Sequence, residues 1–268
     1  MADKKQAEVK TTDYPPQAAL DWFKAKGIQP GFDYRDVWKE EQANAFTVAK
    51  MLNADLLVEV RQLVEQALAE GQTFSQFQAI LKPLLVKSGW WGIQTMDDPT
   101  TGETKQVQLG SEGRIKTIYS TNMRTARAAG QWQRIERTKR AMPYLVYQLG
   151  PAKEHRALHV SWQGITLPVD DPWWLSHMPP NGWGCHCGVR QVSKYERDKM
   201  VASGAALTTA PDNGTKEWVN TRTGEVETLP NGIEPGWNYN PGKSRPQALQ
   251  ADLAAKEQTM RQTLSVPL

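Results

Sequence analysis

The sequence has few cysteines, no long apolar run and no large excess of charge. Only two of its 268 residues are cysteines, Cys185 and Cys187, and a single residue separates them. A disulfide across that spacing would be strained, and a reducing compartment would oppose it. No stretch approaches the roughly 18 uninterrupted apolar residues of a membrane span, and the polar N-terminus lacks a secretory signal. We therefore expect a protein made in a reducing cytoplasm, without a membrane partner.

The sequence also lacks the motifs that identify common enzyme classes. It contains no phosphate-binding glycine loop, nucleotide fingerprint or Ser-His-Asp arrangement. The formal net charge of +3 is too small to identify a nucleic-acid-binding protein by itself. Eleven tryptophans are many for this length, and large aromatic side chains supply both burial and interface area. These features favour a protein that contacts other proteins and give little support to an enzyme.

The length and the residue patterns predict an α+β fold with two folded parts and an extension at each end. We expect a flexible N-terminus, then a helical module. A second domain follows, in which a long basic helix leads into a small mixed region of short strands, and a polar tail or helix ends the chain. The predicted boundaries are, in that order, residues 1–13, 14–95, 96–242 and 243–268.

Local signals place helices inside the module. Apolar residues recur at helix spacing over residues 56–68, before a glycine suited to a C-cap. Thr73 and Gln76 have capping-box spacing for the next helix, within which Pro83 predicts a kink or an early stop. The segment 33–51 is also predicted to be helical.

Beyond the module the pattern becomes mixed. Turn-forming residues at 97–102 predict a short hairpin, and residues 112–141 predict the long helix. Residues 144–149 are typical of a strand. A small helix is predicted at 193–204, and a second hairpin at 218–227.

Four arginines of the long helix are candidates for nucleic-acid contact, namely Arg124, Arg127, Arg134 and Arg137. Arginines spaced along one helix can neutralise DNA phosphates, with binding that weakens as salt rises. The alternative is that the basic residues form a solvated face or pair with acidic groups, such as those of residues 36–41. No DNA-reading motif accompanies the charge, so direct base reading is not favoured.

The segment from residue 155 to 187 holds the candidate metal ligands. His155 and His159 lie four residues apart and would share one face of a helix, as zinc-binding histidines often do. Together with Cys185 and Cys187 they would complete a tetrahedral zinc site, which we expect to be a closed structural site that staples a loop-rich region. The alternative is that both cysteines are small buried hydrophobes and the histidines cap or stack locally.

A catalytic metal site would require an open coordination position and a general base. Glu154, Asp170 and Asp171 are candidates for that base by sequence proximity alone. The favoured alternative is that Asp170 or Asp171, just before Pro172, caps the turn that follows.

Three ordered blocks of the sequence resemble the phage Mu F-like minor head proteins. The segment Arg156-Ala-Leu-His159-Val-Ser-Trp162-Gln-Gly164 is similar to the family signature Arg-x-x-His-x-x-Leu-x-Gly, with Trp162 in the Leu place. Residues 167–174 and 179–187 are similar to the second block, which ends in Cys-Arg-Cys, with His186 in the Arg place. Further similarity lies at residues 32–38, 89–92 and 117–126. The resemblance covers about residues 30 to 242.

The resemblance implies a structural minor capsid protein of a tailed bacteriophage, located in the virion near the portal inside the head. Its partners would be the portal protein and the major capsid and scaffold proteins, with packaged double-stranded DNA beside them. It would assist head morphogenesis, DNA packaging or ejection. By the resemblance, His159, Cys185 and Cys187 are the matched positions, whereas His155 is suggested only by helix spacing. Two other hypotheses stay open: a metal-dependent hydrolase or nuclease using the His/Cys cluster, and a DNA-binding accessory protein.

Overall fold

The computed structural model describes residues 17–37 and 39–244, and its elements confirm an α+β fold. The helices are α1 (Gln17–Lys24), α2 (Glu41–Asn44), α3 (Ala54–Glu70), α4 (Phe74–Lys87), α5 (Glu112–Thr138), α6 (Ala157–Ser161), α7 (Trp173–His177) and α8 (Lys194–Ala202). The strands are β1 (Gly27–Ile28), β2 (Ala45–Phe46), β3 (Ile93–Asp97), β4 (Thr104–Gln108), β5 (Tyr144–Gln148), β6 (Thr166–Pro168), β7 (Gly188–Val192), β8 (Thr215–Val219) and β9 (Val226–Pro230). The predicted flexible N-terminus and nearly all of the predicted tail lie outside the described residues.

The capping signals of the helical module are confirmed. Gly71 ends α3 in the left-handed region, with a φ of 67°. Thr73 starts α4 with the reciprocal capping box. α4 continues past Pro83, so the proline does not stop the helix. Leu81 and Leu85 are fully buried on either side of the proline, and their packing holds both halves of α4 in the core.

The prediction of a helix over residues 33–51 is wrong. Only the short α2 forms there, and β1 and β2 pair in parallel over two residues each. The Asp36 carboxylate accepts the backbone N–H groups of Phe32 and Asp33, each at 2.8 Å. This side-chain interaction offers the backbone an alternative to helical hydrogen bonds. Lys50 has a φ of 71°, which a continuous right-handed helix excludes.

The long helix α5 joins two hydrophobic clusters. It spans 27 residues, or about 40 Å. Five of its buried residues between Ile115 and Ala129 belong to a cluster shared with α1, α3, α4 and the β3–β4 hairpin. Trp132 and Ile135 belong to a second cluster, built mainly from the sheet and the loops that follow it. α5 ends at Thr138, three residues before the predicted end, and places the two clusters along one axis.

The strands form small separate sheets. β5 is the central strand of an antiparallel sheet with the order β6-β5-β7. Val146 lies opposite Thr166 on one side and Arg190 on the other. Both predicted hairpins are present, β3–β4 and β8–β9, and both are antiparallel. Across residues 17–37 and 39–244, none of the helices combines the length and the apolar character needed to cross a membrane.

Candidate metal centre and basic helix

His159, Cys185 and Cys187 come together around one point. Their ligand atoms all lie within 4.8 Å of one another. His159 Nδ1 lies 3.9 Å from Cys185 Sγ and 3.6 Å from Cys187 Sγ. His159 and Cys185 are buried and Cys187 is half-buried. The structure therefore brings together three of the four predicted ligands, which lie up to 28 residues apart in the sequence.

Backbone interactions orient these ligands. His159 Nε2 lies 2.9 Å from the carbonyl oxygen of Gly232. A carbonyl can only accept, so Nε2 carries the proton and the lone pair of Nδ1 faces the sulfurs. Among the cysteines, the backbone N–H of Cys185 donates to the carbonyl of Gly182 at 3.1 Å. Gly184 has a φ of 69°, a conformation that a glycine adopts easily at this tight turn.

Aromatic rings enclose the buried side of the cluster. The His159 ring stacks on Trp162, with centroids 4.8 Å apart and an interplanar angle of 21°. Tyr147 contacts the same imidazole edge-on, at 6.4 Å between centroids. The indole N–H of Trp162 donates to Asn213 Oδ1 at 2.7 Å. These contacts fix the plane of the imidazole within the core.

The two cysteines are electrostatically unequal. A hydrogen bond between their side chains lowers the pKa of Cys187 and raises the pKa of Cys185. Burial raises the pKa of the neighbouring Tyr147, which stays a neutral phenol. The pair therefore favours one thiolate, on Cys187, which is the more accessible sulfur. A thiolate is the form of cysteine that binds a metal ion.

The prediction that His155 shares a helical face with His159 is wrong. Arg156 has an extended backbone with a ψ of 136°, and α6 begins only after it. His155 therefore lies outside the helix, where the four-residue spacing has no geometric meaning. Its Nε2 lies 2.8 Å from the carbonyl oxygen of Gly150. Within the described residues, the predicted four-ligand set is reduced to three.

Two of the three carboxylates considered as general bases make contacts elsewhere. Asp170 Oδ1 lies 2.8 Å from Lys139 Nζ on the surface. Asp171 accepts the N–H of Trp173 at 2.9 Å, which confirms the predicted turn cap. Glu154 is not part of the His/Cys group. Among the described residues, the group of ligands therefore contains no carboxylate that could act as a general base.

Two charged residues outside the predicted ligand set hold the cysteine loop, which consists of residues 178–187. Glu234 accepts the N–H of Trp183 at 2.7 Å and forms an ion pair with Arg156. Arg156 also donates to the carbonyl of Trp183 at 3.0 Å. Arg156 is the first residue of the quoted family signature, so that block contained a signal for it. Glu234 lies 51 residues beyond Trp183, and no local pattern points to it.

Arg124 faces the cysteine loop, and this geometry does not support it as a DNA contact. Its Nη1 donates to the carbonyl of Cys185 at 2.8 Å, and its Nη2 lies 2.6 Å from His186 Nε2. Burial and the nearby Arg124 lower the pKa of His186, so its neutral ring can accept this bond. The other three candidate arginines are exposed, and they form no ion pair within residues 17–37 and 39–244. They are Arg127, Arg134 and Arg137.

The comparisons with known proteins agree on one family. The sequence model described as "Phage Mu protein F like protein" matches residues 58–190. The putative capsid assembly protein F of Escherichia phage Mu is 36% identical over 245 residues, which cover 86% of this chain and 55% of that protein. The chain belongs to the phage Mu F-like family. The Mu-like prophage FluMu F protein of Haemophilus influenzae is 32% identical over 222 residues, covering 77% of this Mu F-like chain and 52% of that protein.

The match places the candidate site inside the family region. Residues 58–190 of this Mu F-like chain extend from α3 to β7 and contain His159, Cys185 and Cys187. The chain spans about half the length of the two curated relatives, 55% of one and 52% of the other. No solved structure shows a significant match to it.

Proposed function

We propose that this chain is a structural minor head protein of a tailed bacteriophage, and that it assists head assembly without catalysing a reaction. The observation that carries the proposal is the 36% identity to a protein named for capsid assembly, over 86% of this chain. The site geometry is compatible with it, because Asp170 forms a surface ion pair and Asp171 caps a turn, so that two of the three carboxylates considered as general bases have other contacts. A hydrolase or nuclease is therefore the less supported alternative.

We further propose that the protein is located in the virion, inside the head and near the portal, after assembly in the host cytoplasm. The portal, major capsid and scaffold proteins would be its partners, and it would assist packaging or ejection of the DNA. Large aromatic side chains remain on the surface for such contacts. Trp183 is 37% exposed and Tyr195 is 73% exposed, and aromatic residues are enriched in protein interfaces.

The test is quantitative mass spectrometry of immature and mature particles from the phage or induced prophage that encodes the chain. We expect a few copies per particle in both. A stop codon in the gene should lower the yield of DNA-filled heads, and expression of the chain in trans should restore that yield. The proposal is overturned if the chain is absent from both kinds of particle, or if heads fill normally without it.

Contact with packaged DNA is a second candidate function, and one observation favours it. Arg127 and Arg134 are exposed and seven residues apart, so they lie on one face of α5, roughly 10 Å apart along its axis. Guanidinium groups spaced in this way can contact successive phosphates of a DNA backbone.

Retention of double-stranded DNA as a function of salt tests this candidate. The double substitution Arg127→Glu and Arg134→Glu should weaken binding and reduce the salt slope by roughly 1 for each lost phosphate contact. Lys87→Glu, at the exposed end of α4, is the control for a charge reversal away from this face. An unchanged slope in the double variant would exclude DNA contact through α5.

A further inference from the structure

We propose that His159, Cys185 and Cys187 bind one zinc ion through three protein ligands, with water or another small ligand in the fourth position. The zinc would connect α6 to the cysteine loop of residues 178–187. This differs from a closed four-ligand site, because residues 17–37 and 39–244 supply three ligands to the group. The inference does not depend on the role in head assembly, and the two are tested separately.

The interatomic distances fit a tetrahedral ion. Zinc–nitrogen bonds of about 2.0–2.1 Å and zinc–sulfur bonds of about 2.3 Å place the nitrogen about 3.6 Å from each sulfur in a tetrahedron. His159 Nδ1 lies 3.6 Å from Cys187 Sγ and 3.9 Å from Cys185 Sγ. The two sulfurs lie within 4.8 Å of each other, against about 3.8 Å expected around zinc. Binding would therefore require small shifts of side chains that already converge.

His159 has the second interaction that zinc-binding histidines usually make. Such a histidine donates its other N–H to a carboxylate or a backbone carbonyl, which fixes the tautomer and the ring plane. Here Nε2 faces the Gly232 carbonyl at 2.9 Å. Gly232 has a φ of 90°, and a Cβ at this position would lie 2.7 Å from the Trp162 ring. A glycine at this position therefore leaves room for the Trp162 ring that stacks on the imidazole.

Side chains from other parts of the fold hold the cysteine loop in place. This accounts for the short spacing between its two cysteines. Zinc knuckles usually place two or more residues between sulfurs, so that the loop itself can wrap the ion. Here Arg124 holds the carbonyl of Cys185, and Glu234 holds the N–H of Trp183. These anchors position both sulfurs without a longer turn. A nitrogen ligand combined with two sulfurs is a set that suits zinc.

The fourth position is left to a ligand from solution. No further His, Cys, Asp or Glu atom joins the group within residues 17–37 and 39–244. His155, the residue expected to complete the set, faces Gly150 instead. Cys187 is half-buried whereas Cys185 is buried, so the sulfur of Cys187 marks the more accessible side of the site.

The test measures metal content in the full chain after saturation with zinc and removal of excess. We expect about one zinc per chain in the wild type, and less than about a tenth in Cys185→Ala, Cys187→Ala and His159→Gln. His155→Gln is the matched control, since it removes a nearby histidine that the structure places outside the site. It should retain zinc at the wild-type level.

Cobalt substitution keeps the test decisive if the variants fold poorly. The wild-type chain loaded with Co²⁺ should show thiolate-to-metal charge-transfer absorption and the strong visible bands of a tetrahedral site. Zinc should also protect Cys187 from alkylation. A wild-type chain that binds no zinc and shows no charge-transfer band overturns the proposal, as does equal zinc loss in His155→Gln and His159→Gln. Incorporation of the chain into particles would be unaffected by that outcome.

Discussion

Arg124, in the middle of α5, donates a hydrogen bond from Nη1 to the carbonyl oxygen of Cys185 at 2.8 Å. α5 contributes buried residues to both hydrophobic clusters. Through Arg124 the same helix holds the loop that presents two of the three candidate zinc ligands. The stability of α5 and the geometry of the site are therefore coupled by one side chain.

Replacing Arg124 by Met should destabilise the folded chain by about 1–3 kcal/mol, because the carbonyl of the buried Cys185 loses its charged donor. Arg127→Met is the matched control, three residues along the same helix and exposed. It should stay within about 0.5 kcal/mol of the wild type. Urea unfolding measures both. Equal effects from the two substitutions would show that the contact with the loop contributes nothing.

Arg222 provides a second long-range connection. It lies at the tip of the β8–β9 hairpin and donates to Asp98 Oδ2 at 2.6 Å and to the carboxylate of Asp36. The side chains of Arg222 and Asp98 are 5% and 1% exposed. Removing Arg222 would leave the buried Asp98 carboxylate with Lys105 Nζ, 3.8 Å away, as its remaining ion-pair partner within the described residues. Arg222→Met should therefore lower the urea midpoint clearly more than Arg134→Met, since the exposed Arg134 has no ion pair within the described residues. Similar midpoints for the two variants would contradict the prediction.

The same ion pair predicts a pH dependence. The Arg222 guanidinium holds the pKa of Asp98 well below its usual range. In the unfolded chain Asp98 takes up a proton near pH 4, at a pKa of about 3.9, whereas in the folded chain it stays ionised to lower pH. The unfolded state then binds more protons, so the stabilisation is complete above pH 4 and is lost as pH falls towards the folded pKa. The difference in stability between wild type and Arg222→Met should shrink below pH 4, and a difference that stays constant would contradict this assignment.

The parts of the fold that could be predicted from the sequence are those set by neighbouring residues. The capping box at Thr73, the C-cap at Gly71 and both hairpins depend on side chains only a few positions apart. The segment 33–51 could not be predicted, because its apolar residues are buried by turns that Asp36 stabilises through its side chain. Apolar spacing alone does not distinguish that arrangement from a helix.

The candidate site was predictable only where a motif was present. His159, Cys185 and Cys187 were identified from their residue types and the family signature. The prediction for His155 was wrong because Arg156 has an extended backbone, so that α6 begins only after it. The partner of Arg124 lies 61 residues away in the sequence. Contacts over that separation are set by the tertiary fold, and no local pattern contains them.

Helix α1 packs closely on α5. Gly130 lies in α5 opposite Ala19 of α1, and a Cβ added there would lie 2.7 Å from the Ala19 backbone nitrogen. A backbone atom cannot move away as a flexible side chain can, so the helices would have to separate. Gly130→Ala should therefore destabilise the chain by about 1–3 kcal/mol, although a helix is more stable with alanine than with glycine by about 1 kcal/mol.

Gly113→Ala is the matched control in the same helix, because a Cβ at Gly113 meets nothing within 4 Å. That change should be neutral or mildly stabilising in thermal and urea unfolding. If Gly130→Ala also stabilises the chain, α1 does not pack against α5 at this distance.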